Sequence, residues 1–501
     1  MNRSDLLAAA LGLAGLALGT VAVAGGPATV PTAEPSGRLE PVRSALLDCP
    51  AAASSGPGRS SLAALSAPVP VPKPGDLDSP DAGGSLRLFA GTRADGPPSM
   101  LSRRGRVVDV TAGDSARAVG RIVVSGELAP GATGWRVDRA RTGPDRGLAV
   151  ASCAAPTTSW WFVGTASRVG HVGRLLLTNP DPGPAAVDID LFGPDGQVPV
   201  AGGRALSLAP RSSRVVALSS LAVQEPELAV HVQATQGEVV AVVHDRWVEG
   251  VAPTGNEWLG PVAPPAGLVV VPGLPMCGAA TGGSAQPRSS CGQTPRTLVV
   301  ANPGALTALV RVEVLGPRGP FVPSGLETLR VPPASVVRAD ETAVARGEPA
   351  GIRLSSDQDI TAAVRIADGS PRADTAVVPA SSPLAGPAAA PWPTDLQASL
   401  LLSSAARTAA AARISVYAAD RARLLTDTIA VAGGSTQQWT LPRLRPAERR
   451  AVAYVVLEPT SGTVTAAAVY RAKPVGLAGL GLPSLAVSVE RPAVGLTLAS
   501  S

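Results

Sequence analysis

Apolar and polar residues alternate along short stretches of this chain, which is the pattern of half-buried β-strands. In AVDIDLFGPDG, Val187, Ile189 and Leu191 lie on one face, and Asp188 and Asp190 lie on the other. The Asp-Gly pair at the end of this stretch is a strong turn signal. Short strands between turns, with few sustained helical patterns, predict an all-β fold.

One such segment occurs more than once. LLLTNP at 175–180 returns as LVVANP at 298–303, and each is followed by a GPDG or GPRG turn that begins fourteen residues after its Asn. A more degenerate third copy begins near Ser404, and each copy follows a Trp. We expect Asn179 and Asn302 to turn the chain by hydrogen bonds to nearby backbone, because Asn side chains commonly do so in turns.

The repeat predicts tandem immunoglobulin-like β-sandwiches, since such domains consist of short alternating strands separated by turns. We predict an N-terminal β unit over 76–157 that does not align with the copies. Three β-sandwich repeats are expected to follow over 158–250, 251–385 and 386–501.

The N-terminus has the composition of an export signal. Arg3 precedes an uninterrupted apolar run from Leu6 to Ala24, and small residues before Gly25 suit a cleavage site. Residues 1–24 are therefore expected to be a signal peptide or, if uncleaved, a membrane anchor. Residues 25–75 are rich in Pro, Ala and Ser and predict an extended linker, although the patch at Leu46 and Leu47 has the potential to pack on the first domain.

Four cysteines in an exported chain suggest two disulfides, for which three connectivities are possible. Cys277 and Cys291 enclose a polar, Gly-rich loop, and we predict that they pair. Cys49 with Cys153 follows by elimination. A metal site is not expected because the chain has no CxxC spacing and no His close in sequence to a Cys.

Composition limits the kinds of ligand. Aromatic residues make up 3% of the 501 residues, so each core should be small and aliphatic with isolated Trp anchors. The formal net charge is +5, and the densest basic runs are SRRGR (Arg103, Arg104, Arg106) and RLRPAERR (Arg443, Arg445, Arg449, Arg450). Neither run is interleaved with aromatic residues as in a nucleic-acid platform, so both are interpreted as solvated loops and no nucleic acid is expected.

No catalytic, cofactor or metal motif appears in the chain. His244 and Asp245 in VVHDRW form the one local titratable pair, but neighbours on a strand point to opposite faces. We expect a strand-end salt link there and a lid on the core from Trp247. His171 is expected in a loop, and His231 on an exposed face.

Two carboxylates on one strand face are the residue types that glycoside chemistry requires. Asp188 and Asp190 share a face, but Arg311 and Glu313 stand at these positions in the second copy. An exposed strand face is the preferred interpretation. The residues retained as possible ligand contacts or core anchors are Trp160, Trp161, Trp247 and Trp258.

Four segments together resemble an actinobacterial family of exported proteins known only as a domain of unknown function: SWWFVGTA, LLLTNPDPGPAAVDIDLFGPDG, LAVHVQATQGEVVAVVHD and LVVANPGALTALVRVEVLGPRG. The resemblance covers roughly residues 90–480. It implies a secreted or envelope-associated location and carries no catalytic residues.

These observations predict a non-enzymatic, exported cell-envelope protein that scaffolds or binds an unknown envelope protein or wall polysaccharide. Membrane contact is expected only through residues 6–24, if they remain attached. The alternative is an auxiliary carbohydrate-binding or carbohydrate-active protein of cell-wall metabolism, with a cleft near the four tryptophans. Buried Trp side chains would favour the first hypothesis and an open Trp-lined groove the second.

Overall fold

The structure is a computed structural model, and it describes residues 38–53, 58–71, 83–91, 96–110, 118–274, 296–340, 348–367, 374–473 and 476–491. The predicted signal segment (1–24) and the predicted Cys277–Cys291 pair lie outside these residues. Within them the fold is all β, built from small antiparallel sheets. Among these residues, no helix has the length and apolar character to cross a membrane.

The described chain forms four consecutive groups of strands, here called modules 1 to 4, within a compact unit spanning Pro41–Ser488. Separately, β1 (Arg38–Pro41) pairs with the last strand, β35 (Ser488–Arg491), in a two-stranded sheet.

Module 1 consists of eight strands in two sheets, ordered β2-β7-β4-β5 and β6-β3-β8-β9. The strands are β2 (Ser44–Cys49), β3 (Arg59–Ser66), β4 (Ser85–Ala90), β5 (Ser99–Leu101), β6 (Val107–Val110), β7 (Gly120–Ser125), β8 (Ala132–Ala140) and β9 (Gly147–Ser152). Leu62 and Ala64 of one sheet face Leu88 and Ile122 of the other in one buried cluster.

Module 2 has sheets ordered β10-β16-β12-β13, with β14 on β12, and β15-β11-β17-β18. The elements are β10 (Ser159–Thr165), β11 (His171–Asn179), β12 (Ala185–Gly193), β13 (Gly196–Val198), β14 (Leu206–Leu208), β15 (Ser212–Ala217), α1 (Leu218–Leu221), β16 (Leu228–Gln236), β17 (Val240–Glu249) and β18 (Ala252–Leu259). Val187, Ile189 and Leu191 are fully buried, as their alternation predicts.

Module 3 follows the same plan, except that one long strand runs through both sheets in place of β16 and β17. Its strands are β19 (Ala266–Leu274), β20 (Arg296–Asn302), β21 (Ala308–Gly316), β22 (Gly319–Phe321), β23 (Leu329–Val331), β24 (Ser335–Asp340), β25 (Ala350–Ala367) and β26 (Thr375–Pro379).

Module 4 has sheets ordered β27-β32-β29-β30 and β31-β28-β33-β34. Its elements are β27 (Ala388–Pro391), β28 (Gln397–Ser404), β29 (Ala410–Ala418), β30 (Arg423–Val431), β31 (Ser435–Thr440), α2 (Pro446–Ala451), β32 (Val452–Ser461), β33 (Thr465–Arg471) and β34 (Leu477–Gly481).

The strand order is the same in every module, so module 1 is a fourth copy that its sequence does not reveal. Two expected boundaries differ from the structure. The segment 25–75 is not a linker throughout, because Ser44–Cys49 and Arg59–Ser66 are strands of module 1 whose C-terminal ends are buried. The second sheet of module 2 continues past residue 250, because Ala252–Leu259 pairs with β17.

The Asn of the repeated motif has the structural role expected of it. The Asn179 Nδ2 group donates to the carbonyls of Gly183 and Ala209 at 2.8 and 3.1 Å, and its Oδ1 accepts the Asp181 N–H at 3.0 Å. Asn302 makes the equivalent bonds in module 3, donating to Leu306 and Pro332 at 2.7 and 3.0 Å. Each Asn therefore fastens two turns of its module.

The four modules close into a ring in which the last strand of each module lies at the centre. β9 lies against β18 and β34, and β26 lies against the same two strands. Apolar clusters join each neighbouring pair: Ala149 with Trp258 (modules 1 and 2), Val243 with Val377 (modules 2 and 3), Val300 with Leu401 (modules 3 and 4), and Val150 with Leu400 (modules 4 and 1). The first and fourth modules, which are far apart in sequence, are thereby in contact.

Candidate functional site

The centre of the ring holds one fully buried carboxylate that contacts all four modules. Asp374 immediately precedes β26, and its Oδ2 accepts the backbone N–H groups of Leu148 and Leu477 at 2.9 and 2.8 Å. Its Oδ1 accepts those of Asn256 and Thr375 at 3.2 and 3.0 Å. A single side chain thus accepts one backbone N–H from each of four converging strands, β9, β18, β26 and β34.

The equivalent position in the other modules is glycine. The residues that precede the other three donors are Gly147, Gly255 and Gly476. Gly147 has a φ of 149°, and a Cβ there would lie 2.8 Å from the Asp374 Oδ1 atom. The absence of a side chain at Gly147 therefore leaves room for the Asp374 carboxylate.

A second buried carboxylate, Glu257 of β18, lies near Asp374. Its Oε1 accepts the N–H of Trp258 at 3.0 Å, and its Oε2 accepts the N–H of Gly479 at 2.9 Å, which joins modules 2 and 4. Burial raises the pKa of Glu257 well above its usual value, and the charge of Asp374 adds to this rise. Burial likewise raises the pKa of Asp374 to about 7, while its four N–H donors act in the opposite direction.

His244 faces this centre from β17. Its Nε2 lies 2.6 Å from the Oδ1 of Asn256, whose Nδ2 donates to the backbone carbonyl of Asp145 at 3.0 Å. Burial lowers the pKa of His244, which favours the neutral ring. The Trp258 indole packs against this imidazole and donates to the Asp138 Oδ2 at 3.1 Å, crossing from module 2 to module 1.

Asp245 points the other way, into one end of the module 2 core. It is fully buried, and neither carboxylate oxygen has a hydrogen-bond donor among the described residues. The strand pairing places it where module 3 has Ile366 and module 4 has Tyr470. A carboxylate therefore stands at a position that two other copies fill with an apolar or aromatic residue.

The surroundings of Asp245 are polar and partly unsatisfied. Burial raises its pKa to about 7, while the charge of Arg365 acts in the opposite direction. Arg365 reaches from module 3 to form an ion pair with the buried Glu227 and donates to the Gly164 carbonyl at 3.0 Å. His171, whose pKa burial lowers to about 3, packs edge-on against Trp247 in the same region.

The structure separates the VVHDRW side chains as strand geometry requires. His244 faces the ring centre and Asp245 the module core, so they do not form a dyad. Arg246 pairs with Asp145 at 3.0 Å, and Trp247 is buried in the core. The salt link in this stretch therefore involves Arg246 rather than Asp245.

The four candidate tryptophans differ in their exposure to solvent. Trp160, Trp247 and Trp258 are buried, at 7%, 6% and 3% exposure. Trp161 is half-buried on the outer face of its sheet and stacks on His231 at 4.1 Å. His231 is therefore half-buried rather than exposed, because this ring covers it.

The neighbouring carboxylates lie on that same outer face. Asp188 and Asp190 both pair with Arg204, whose side chain is 59% exposed. This agrees with the strand-face interpretation, and the guanidinium between them accounts for two carboxylates so close together.

The cysteines that can be placed form the expected bond. Cys49 and Cys153 are joined in a disulfide, with a sequence separation of 104. It ties β2 to the segment just after β9, both in module 1. Beside it, Arg121 donates to both oxygens of the buried Asp48 at 2.9 and 2.8 Å.

Sequence reasoning missed Asp374, Glu257, Glu227 and Arg365, because nothing in their local sequence distinguishes them from surface charges. Asp374 and Glu257 accept backbone N–H groups of other modules. Glu227 and Arg365 form an ion pair between modules 2 and 3. Among the described residues, no group of three or more His, Cys, Asp or Glu is arranged to hold a metal ion.

The comparisons with known proteins place the chain by family alone. A family described as "Family of unknown function (DUF5719)" matches residues 107–442, from β6 in module 1 to the end of β31 in module 4. The solved structures include a similar chain, an anti-sigma factor domain-containing protein from Clostridium clariflavum. It is 9% identical, the match covers 82% of this chain and 99% of that one, and its TM-score of 0.12 is too low to support an argument about fold. No curated protein matches the chain.

Proposed function

The chain belongs to the DUF5719 family of unknown function, and from that premise we propose that it is a non-enzymatic, exported cell-envelope protein that binds an envelope partner or wall polymer on a rigid scaffold. The observation that carries this proposal is the Asp374 carboxylate, which holds the central strands of all four modules. Its oxygens are engaged by backbone amides, so this buried acid contributes to architecture.

The architecture suits a platform for binding. We propose that each module is an immunoglobulin-like β-sandwich, supported by its two antiparallel sheets with one shared core. Four such units in a closed ring present their outer faces and loops in fixed relative positions. Binding to a preorganised surface loses less conformational entropy than binding to a flexible one.

The tryptophans favour this scaffold over the alternative, a carbohydrate-binding or carbohydrate-active protein. Trp160, Trp247 and Trp258 lie inside the ring, where they pack in cores and between modules. Their burial is the outcome expected of anchors rather than of a sugar groove.

An exported location is part of the proposal. The apolar run from Leu6 to Ala24 has the composition of a signal or anchor. The Cys49–Cys153 disulfide adds weak support, because disulfides persist in oxidising compartments.

The test is co-sedimentation of the purified full-length protein with envelopes isolated from its own organism, before and after protease treatment of the envelopes. The proposal predicts saturable binding. Loss of binding after protease treatment would identify a protein partner, and retention would identify a polymer or lipid.

Two results would contradict the proposal. One is absence of binding to either preparation. The other is release of soluble saccharides or peptides from the envelopes during incubation, detected by mass spectrometry, which would show catalysis.

A further inference from the structure

Arg103 and Arg106 of the SRRGR run project into solvent from a turn between β5 and β6. They line a hollow of about 560 Å³ together with Ser102, Val107 and Asp109. Among the described residues, no ion pair includes either guanidinium. The hollow is therefore edged by two arginines available to a ligand.

The turn that carries these arginines is anchored on both sides. Between them, Arg104 turns inward and donates to the carbonyls of Ala67 and Pro130 at 2.9 and 2.6 Å. The buried Gly105 has a φ of 83°, and its carbonyl accepts the Tyr454 hydroxyl of module 4 at 2.7 Å. The basic run is therefore held in a defined conformation.

A second basic turn lies beside the first. The β29–β30 turn of module 4 reads DRAR over 420–423, and its Ala419 carbonyl accepts the Val107 N–H at 2.9 Å. Gly105 has no Cβ, but an atom added there would lie 3.0 Å from the Cβ of Arg421, so the two turns are in close contact. Arg421 and Arg423 are exposed, and among the described residues neither forms an ion pair.

The junction of modules 1 and 4 thus concentrates four guanidinium groups, here called the arginine patch: Arg103, Arg106, Arg421 and Arg423. The nearby carboxylates among the described residues include Asp109, Glu127 and Asp420, and with Arg104 the guanidinium groups outnumber these three. The rings of Tyr417 and Tyr454 stack beside this junction, with their centroids 5.2 Å apart. The patch depends on ring closure, because its two halves are distant in sequence.

We propose that the arginine patch binds the phosphate groups of an anionic polymer. Guanidinium groups match phosphate oxygens in charge and in fork geometry. Four of them on two fixed turns are suited to successive groups of a chain rather than to one ion. The mostly polar lining favours a polymer over a phospholipid surface. This inference rests on the proposed binding function and names the ligand class.

The test measures binding of inorganic polyphosphate to the purified full-length protein, with monomeric inorganic phosphate as the single-ion comparison. The double variants Arg103→Gln/Arg106→Gln and Arg421→Gln/Arg423→Gln should each weaken polyphosphate binding by about 10-fold or more. Binding should also weaken steeply as salt rises. The matched control is Arg443→Gln/Arg449→Gln, which removes the same charge from the other basic run.

A third variant separates geometry from charge. Gly105→Ala keeps every charge but places a methyl group on a residue at positive φ and against the Arg421 Cβ. We expect weaker polyphosphate binding with a small fall in the unfolding midpoint, so that the variant remains folded at the temperature of the binding assay. Equal affinity in this variant would show that the turn geometry is irrelevant.

Other outcomes would overturn the inference. Equal loss in the control variant would show that net charge alone attracts the polymer. Vesicles containing anionic phospholipid that bind more tightly than polyphosphate would assign the patch to a membrane. Envelope binding that persists unchanged in both patch variants would refute the proposed role of the arginine patch and leave the proposed function intact. Polyphosphate binding without envelope binding would support the arginine patch and contradict the proposed function.

Discussion

Replacing Asp245 with Asn should stabilise the protein at neutral and higher pH relative to the wild type. The Asp245 carboxyl is fully buried in module 2 without a hydrogen-bond donor among the described residues. Asn has nearly the same shape as the protonated acid but cannot ionise. The substitution therefore removes the cost of burying an unpaired negative charge.

The magnitude follows from proton linkage. Burial raises the Asp245 pKa from 3.8 to about 7, so the folded protein holds a proton that the unfolded chain releases in this range. The wild-type free energy of unfolding therefore falls as pH rises from about 4 to about 7, and this carboxyl contributes about 4 kcal/mol to the fall. At pH 8 the variant should be favoured by a few kcal/mol more than at pH 4.

The assay is urea unfolding of both proteins from pH 4 to pH 8, followed by tryptophan fluorescence. His171 and Asp374 titrate in both proteins, so their contributions cancel in the difference between the two. Asp195→Asn, an exposed carboxylate in the β12–β13 turn, is the control and should change stability by about 0.5 kcal/mol or less at every pH. A difference between wild type and Asp245→Asn that is flat with pH would refute the reasoning.

Three further variants test contacts inside the modules. The Cys49→Ser/Cys153→Ser variant should lose about 4 kcal/mol of unfolding free energy, because the disulfide closes a sequence separation of 104; calorimetry showing an unchanged transition would contradict this. Asn179→Ala and Asn302→Ala should each cost about 2–4 kcal/mol in chemical unfolding, because each removes several side-chain hydrogen bonds to turn backbone. The two costs should be similar, and a large cost at one site alone would show that the two turns are not equivalent.

The strands of modules 2 and 3 were predictable because the sequence patterns that form them lie within the strands and their adjoining turns. Val187, Ile189 and Leu191 alternate with polar residues, and each Asn of the Asn-Pro motif lies 4 residues before one of the carbonyls that its side chain binds. Ala-rich strands such as Arg59–Ser66 lack this contrast between faces. The first two strands of module 1 therefore resembled a linker in sequence, although the strands of this module are ordered as in the other modules.

The ring centre could not be predicted because the contacts that form it join residues far apart in sequence. Asp374 binds amides of strands more than one hundred residues away, and any residue type has an amide to donate. Gly147 and Gly476 reveal their relation to Asp374 only when the strands are superimposed. The arginine patch has the same origin, because ring closure brings SRRGR and DRAR together.

The most direct test of the closed ring is amide hydrogen exchange in the wild type and in Asp374→Ala, followed by mass spectrometry. The substitution leaves the N–H groups of Leu148, Asn256 and Leu477 without their acceptor. Peptides from β9, β18 and β34 should therefore exchange faster together, although they come from three other modules. An increase confined to the peptide that contains residue 374, with β9 and β34 unchanged, would contradict the closed ring.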